Sequence, residues 1–310
     1  MSEQELLTPL QELKQDVDVP TVDKDGNIVI AGRQYHVEPE VLTYADVCGM
    51  IPFFCGKKGL VDGIFRFLKI DKVNEVHSRW HATPGIPFAH ALVEKEFKVR
   101  VRVDNEEVLS RFPTGAFITV SNHPLGAFDG ILLLHEVGTF RTDYRVMVNL
   151  FLNHLSAMSP SFIPVDPSGS DDPAKKKVTL EGIREAIAHV RNGHPLGFFP
   201  AGAVSKVKRD LHIRDRQWQP SIIKLISQLK VPVIPIYFHG HNSTFFNILG
   251  IISWQLRTLR LPAEVFRMRG RKVHLSIGEP IMPEEQKACA NIEELGKLLR
   301  DRTYALEKIK

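Results

Sequence analysis

From residue 97 onward the chain repeats one rhythm, in which short β-branched runs alternate with longer segments of helical period. The runs are KVRVRV (98–103), AFITVS (116–121), YRVMVN (144–149), SFIPVD (161–166), LGFFP (196–200), VPVIPIYF (231–238) and KVHLSI (272–277). Branched and aromatic side chains pack well on a pleated surface, and spacers long enough for a helix favour crossovers between strands. The rhythm predicts an α/β domain over residues 96–310. One spacer also marks its own ends. In DDPAKKKVTLEGIREAIAHVRNG an Asp and a Pro open a helix, Ile183, Ile187 and Val190 share a face, and Asn192-Gly193 closes it. Near the C-terminus Asn291 can cap a helix with Glu294 reciprocating, and Ile292, Leu295, Leu298 and Leu299 point inward.

The first 95 residues have a different texture and read as a mostly helical N-terminal portion with a small β-hairpin. Residues 2–16 have the pattern of an amphipathic helix. DKDGN followed by IVIAGRQYHV reads as a turn and a strand. Residues 40–95 are mostly helical in period, interrupted at Pro52, Gly56, Gly59 and TPGIP (83–87). No internal repeat or low-complexity tract is present.

Composition narrows the partners. With 310 residues and a net charge of only +4, the chain has no global basic field of the kind nucleic acid selects. Cys48, Cys55 and Cys289 form neither a CxxC pair nor an even framework, which predicts a reduced compartment and no zinc signature. The N-terminal MSEQELLTPLQELKQDV carries acids where a signal peptide needs basic residues, so export is not expected. No run reaches the roughly 18–20 apolar residues of a spanning helix.

The chemistry concentrates in SNHPLGAFDG, residues 121–130, which follows the AFITVS run and precedes a helix read from Asp129 through GILLLHEV. In open α/β sheets reactive groups gather beyond the carboxyl ends of strands. A carboxylate on one ring nitrogen of His123 would fix the tautomer and free the other nitrogen to take a proton. The pair brings no nucleophile of its own, so a substrate hydroxyl or amine completes it. The competing structural reading makes Asp129 a helix cap and His123 a loop residue. No GxSxG elbow is present to support a serine hydrolase. His77 with His81, and His239 with His241, have spacings open to metal, but neither pair carries the acidic base of an HExxH site, and both read as packing or surface residues.

SNHPLGAFDG resembles the first signature block of the glycerolipid acyltransferases of the lysophosphatidic acid type. Three further stretches resemble the later blocks in order: SFIPVDP (161–167), GFFPAGAVS (197–205) and VPVIPIYFHG (231–240). The resemblance implies a mixed central β-sheet flanked by helices. It implies an acyltransferase that moves a fatty acyl group from acyl-CoA or acyl carrier protein to a lysolipid-like hydroxyl, with no cofactor or metal beyond that co-substrate. His123 would be the general base and Asp129 its orienting partner. Asn122, Gly126, Asp166, Phe199, Pro200, Ala201, Gly202, Ser205 and Pro235 would contribute to substrate binding.

Departures from the pattern argue against a plain glycerol-phosphate acceptor without naming another. Five residues separate His123 from Asp129 where four are usual, and Gly126 can absorb the extra one as a bulge. Ala201 and Val204 stand where Glu and Arg are usual, and block two offers Val165 and Asp166 in place of an Arg. A phosphate dianion wants such bidentate donors. The chain looks closer to a divergent bacterial, haemolysin-like branch associated with lyso forms of ornithine or glycine lipids. Lys175, Lys176 and Lys177, with Lys206, Lys208 and Arg209, are basic neighbours that read as a solvated face. A lipid-binding relative without catalysis, and a thioester or ester hydrolase using the same pair, are open alternatives. Residues 247–272 join an apolar run and Trp254 to Arg257, Arg260, Arg267, Arg269, Arg271 and Lys272, a combination that suits an interfacial helix on anionic lipid. MIPFFCGKKGLVDGIFRFLK (50–69) is a second such candidate. The expected location is peripheral, at the cytoplasmic face of the cell membrane.

Overall fold

The computed structural model describes residues 21–24, 27–30, 33–112, 114–166, 171–207 and 212–309. The helix expected at 2–16, along with Lys208 and Arg209, lies outside them. The expected hairpin has three strands, β1 (Thr21–Val22), β2 (Ile28–Ile30) and β3 (Arg33–Tyr35), paired antiparallel in that order. Helices α1 (Tyr44–Met50), α2 (Lys58–Leu68), α3 (Ile70–Trp80) and α4 (Ile86–His90) follow, and a π-helical stretch continues α4 over Ala91–Glu96. Thr43 and Asp46 close a capping box on α1. Gly59 does not interrupt, because it falls in the first turn of α2.

Each of the seven predicted runs becomes a strand of one sheet. These are β4 (Arg100–Asp104), β5 (Ile118–Ser121), β6 (Arg145–Asn149), β7 (Phe162–Val165), β8 (Leu196–Phe198), β11 (Val233–Phe238) and β12 (Lys272–Ile277). Their order is β4-β12-β11-β5-β8-β6-β7. The five strands from β11 to β7 are mutually parallel, whereas β12 runs antiparallel to β11 and parallel to β4, which makes the sheet mixed. A short ribbon of β9 (Lys206–Val207) and β10 (Ile213–Arg214) stands apart.

Helices cover both faces, because successive strand residues point to opposite sides. On one side Val146, Ile234, Ile236, Phe238 and Leu275 pack against α4, the π-helical stretch and α6 (Ala127–Phe140), which follows the short α5 (Glu107–Ser110). Helix α6 is apolar nearly all round and correspondingly buried. On the other side Ile118, Val120, Met147, Leu196 and Val233 pack against α7 (Pro173–Arg191), α8 (Pro220–Leu229) and, after the helices between β11 and β12, the last long helix of the chain. Asp172 caps α7 through the Ala174 N–H, Pro173 fills its first turn, and Gly193 follows its C-cap at φ 89°.

The chain between β11 and β12 departs from expectation. In place of one interfacial helix it forms α9 (Thr244–Ile252), α10 (Trp254–Leu259) and α11 (Leu261–Arg267). Ser253 turns extended at φ −155° and its hydroxyl caps α10, and Pro262 restarts the helix at α11. After α12 (Pro283–Lys287), α13 (Ile292–Ala305) is capped by Asn291, and Glu294 reaches back to the Ala290 N–H. Among the described residues no helix is long and apolar enough to cross a membrane.

Candidate active site

The chain leaves β5 at Ser121 and reaches α6 at Ala127, two residues earlier than the sequence pattern indicates. The five intervening residues must turn sharply, and Gly126 takes φ 68° to do so. A β-carbon there would fall 2.7 Å from the Leu261 Cδ2, the movable end of a side chain, so it is the positive φ that reserves position 126 for glycine. Gly126 is thereby the N-cap, and Asp129 lies in the first turn of α6, facing back over the loop.

That placement brings the two predicted residues together. The Asp129 Oδ2 accepts from His123 Nδ1 at 3.0 Å and from the Leu125 N–H at 2.9 Å. A carboxylate can only accept, so Nδ1 carries the proton and Nε2 presents its lone pair. Among the described residues Nε2 has no hydrogen-bond partner, and 17% of the histidine side chain is exposed. Asp129 is fully buried and its Oδ1 has no partner. Burial pushes its carboxyl up to about 6, against the hydrogen bond and charge of His123, which hold it down.

The loop after β8 closes over the imidazole. Phe199 stacks on the His123 ring with centroids 4.1 Å apart and planes inclined by 27°. Pro200 is buried, and Ala201 is completely buried within the core on the far side of the sheet. Gly202 turns the loop at φ 62° against Gln219. The Ser205 N–H donates to the His123 carbonyl at 2.9 Å.

A residue without any sequence signal joins the two loops. Asp215 is completely buried and accepts from the His123 N–H (3.2 Å), the Ser205 hydroxyl (2.5 Å) and the Trp218 indole (3.2 Å). It lies in RDRQWQP, a stretch without helical or strand period, so only the fold reveals it. Asn122 is likewise structural in its contacts. Its amide donates to the Phe238 carbonyl at 2.9 Å and accepts from the Phe238 N–H at 2.7 Å, pinning the end of β5 to the end of β11.

Asp166 and Pro235 stand apart from the pair. Asp166 follows β7, three strands from β5, which is roughly 14 Å across a sheet. Its N–H donates to the Thr179 hydroxyl at 3.0 Å. A proline in a β-rich run normally marks a strand edge or end, but Pro235 lies within interior strand β11, opposite Val120. The ladder to β12 begins only at Ile236, and the Pro235 carbonyl accepts from the Gly278 N–H at 2.8 Å, so the missing donor coincides with the end of that ladder.

The histidines with metal-like spacing also separate. His77 is buried between the Pro39 carbonyl, 3.0 Å from Nδ1, and the Ala157 N–H, 3.1 Å from Nε2, and burial lowers its pKa. His241 turns onto its own loop at the Asn242 carbonyl, 2.8 Å away. His239 instead stacks on His274 and bonds Ser276, and both His274 and Ser276 bond Asp104. Asp104 with His239 and His274, and His90 with Glu94 and His135, are groups whose donors converge closely enough to hold an ion, and neither includes His123 or Asp129.

A lyso-glycine lipid O-acyltransferase of Bacteroides thetaiotaomicron is 27% identical over 72% of this chain and 81% of its own length. One of the same description from Phocaeicola vulgatus is 28% identical over 72% of this chain and 78% of its own. The crystal structure of the 1-acyl-sn-glycerophosphate acyltransferase PlsC from Thermotoga maritima superposes with a TM-score of 0.46, at 16% identity, over 86% of this chain and 93% of that one. The family model described as "Acyltransferase" matches residues 61–309, which span the seven-stranded sheet and both loops at His123, so the chain belongs to that family and is an acyltransferase.

Proposed function

We propose that the protein transfers a fatty acyl group from an acyl thioester, on coenzyme A or acyl carrier protein, to the hydroxyl of a lyso amino-acid lipid. The observation that carries this reading is the His123–Asp129 contact with Nε2 left free. The acceptor hydroxyl gives its proton to Nε2 as its oxygen attacks the thioester carbonyl carbon. The C–S bond then breaks, and the departing thiolate recovers the proton from the imidazolium. Asp129 holds the required tautomer and balances the cation, and no acyl-enzyme forms. Stacking on Phe199 restricts rotation of the imidazole, which supports a positioned base.

The acceptor class follows the two relatives named as lyso-glycine lipid O-acyltransferases and the buried Ala201. Membrane lipid must reach the site, and exposed apolar residues on α9 and α10 support docking at the bilayer surface. Acyl-CoA does not cross a bilayer unaided, so we assign the reaction to the cytoplasmic face. The test uses the purified chain with acyl-CoA or acyl carrier protein thioester and an N-(3-hydroxyacyl)glycine in mixed micelles, followed by mass spectrometry. The expected product is the O-acylated lipid. Free fatty acid released at the same rate without acceptor would replace the transferase with a hydrolase.

A further inference from the structure

Arg257 on α10 is more than nine-tenths buried, yet its cation is not paired with any carboxylate among the described residues. Its Nη1 reaches only the Ser205 carbonyl, at a long 3.4 Å, and its guanidinium carbon lies 5.6 Å from the Phe246 ring centre. A guanidinium has five donors, and a desolvated cation without a counter-ion is costly. Burial and the neighbouring Arg216 both lower the Arg257 pKa, so the nearby charge is a second cation. Glu264 is the sole acid between residues 244 and 268, and it is committed to Ser243 and Arg267. Arg260 repeats the pattern, with a buried Nε that has no partner and a guanidinium 5.4 Å from the Phe245 ring centre.

These cations adjoin the base. Ser205, whose carbonyl meets Arg257, donates its own N–H to the His123 carbonyl. Leu261, which follows Arg260, closes against Gly126 of the same loop. On α9 and α10, Ile251 and Ile252 (each 71% exposed) and Leu256 and Leu259 present an apolar surface. An anion beside a lipid-facing surface belongs to an amphiphile.

From this juxtaposition we propose that Arg257, assisted by Arg260, binds the free carboxylate of the acyl acceptor and selects acidic over neutral lysolipids. An N-acylated amino acid keeps its α-carboxylate, and a guanidinium fork matches that group. The proposal rests on the acceptor class assigned above. The phosphates of coenzyme A are the other oxyanions within this chemistry, and the test separates them.

The decisive measurement uses a ligand that cannot react. N-palmitoylglycine has no acceptor hydroxyl, so its binding is independent of turnover. In neutral detergent micelles the wild-type chain should bind it at least about tenfold more tightly than its methyl ester, the size expected for a hydrogen bond to a charged group. Arg257→Gln should abolish that preference and Arg257→Lys should retain part of it, with thermal unfolding confirming that each variant folds. In transfer assays Arg257→Gln should raise the acceptor KM about tenfold or more while leaving the donor KM unchanged. Equal binding of acid and ester by the wild type would overturn the proposal without any variant. A rise in donor KM instead would assign the arginine to coenzyme A. Selective binding of the acid without acyl transfer would leave this site standing and remove only the proposed reaction.

Discussion

Burial and the imidazole pull the Asp129 carboxyl in opposite directions, and burial prevails. A carboxyl whose pKa is higher in the folded chain than in the unfolded one binds its proton more tightly when folded. Stability therefore declines as pH rises from the unfolded value through the folded one. The displacement from 3.8 to about 6 corresponds to about 3 kcal/mol, fully felt above pH 6. The proposed mechanism needs the opposite state, because only the ionised carboxylate balances an imidazolium. Acyl transfer should accordingly fall as pH drops through about 6, measured as kcat/KM on a neutral acceptor ester so that acceptor ionisation does not intrude. Asp129→Asn should lower turnover by about 10²–10⁴ and raise the melting temperature at pH 8, with the stabilisation disappearing by pH 4. His123→Ala should cost turnover by a comparable factor, with circular dichroism confirming that the variant folds. Retention of near wild-type transfer by either variant would remove the pair from the mechanism.

At the scale of elements, the loops after β5 and β8 hold each other in place through Asp215. Asp215→Ala would strand the His123 N–H, the Ser205 hydroxyl and the Trp218 indole without an acceptor. Each buried donor left unpaired costs about 1–3 kcal/mol, so urea unfolding should show a loss of several kcal/mol. Asp215→Asn keeps the volume and one acceptor, and its signature should be a lower kcat with the acceptor KM little changed. The strands, the α7 caps and the His123–Asp129 pair were legible because each is written locally: a branched run, an Asp-Pro opening, a histidine and an acid around a glycine. Asp215 was not, because its three partners come from positions 123, 205 and 218 and share no period. Ser253 shows the same limit. Its hydroxyl caps α10 in the middle of an apolar run that composition alone reads as one helix, and Arg257 on that second helix meets Ser205. Pro235 shows a related limit, since whether a strand is an edge depends on its neighbours and not on its own residues.

Among the described residues two groups of large apolar side chains stand exposed to water, and they bear on how the proposed membrane acceptor would be reached. One lies on α9 and α10, where Phe245, Ile248, Ile251, Ile252, Leu256 and Leu259 are about half exposed or more. The other lies at α1 and α2, where Met50, Ile51, Phe53, Leu60 and Phe67 are similarly exposed and Val61 alone of α2 is buried. Contiguous patches of this kind mark interaction sites more often than isolated residues do. The α9–α10 surface has the stronger claim, because α10 carries Arg257 and Leu261, the first residue of α11, packs on Gly126 in the His123 loop. Moving an isoleucine from water into the acyl boundary contributes about 1.5–3 kcal/mol, and each basic residue near an anionic surface adds about 1. Ile251→Asp with Ile252→Asp should therefore weaken sedimentation with phosphatidylglycerol vesicles by at least about tenfold. Both side chains are 71% exposed, so the melting temperature should hold. Transfer to a short-chain acceptor dissolved as a monomer should also persist, while transfer to vesicle-borne acceptor collapses. If vesicle binding survives that pair and is lost with Phe53→Asp and Phe67→Asp, the docking surface is the N-terminal one, and the acceptor must travel to His123 along the protein.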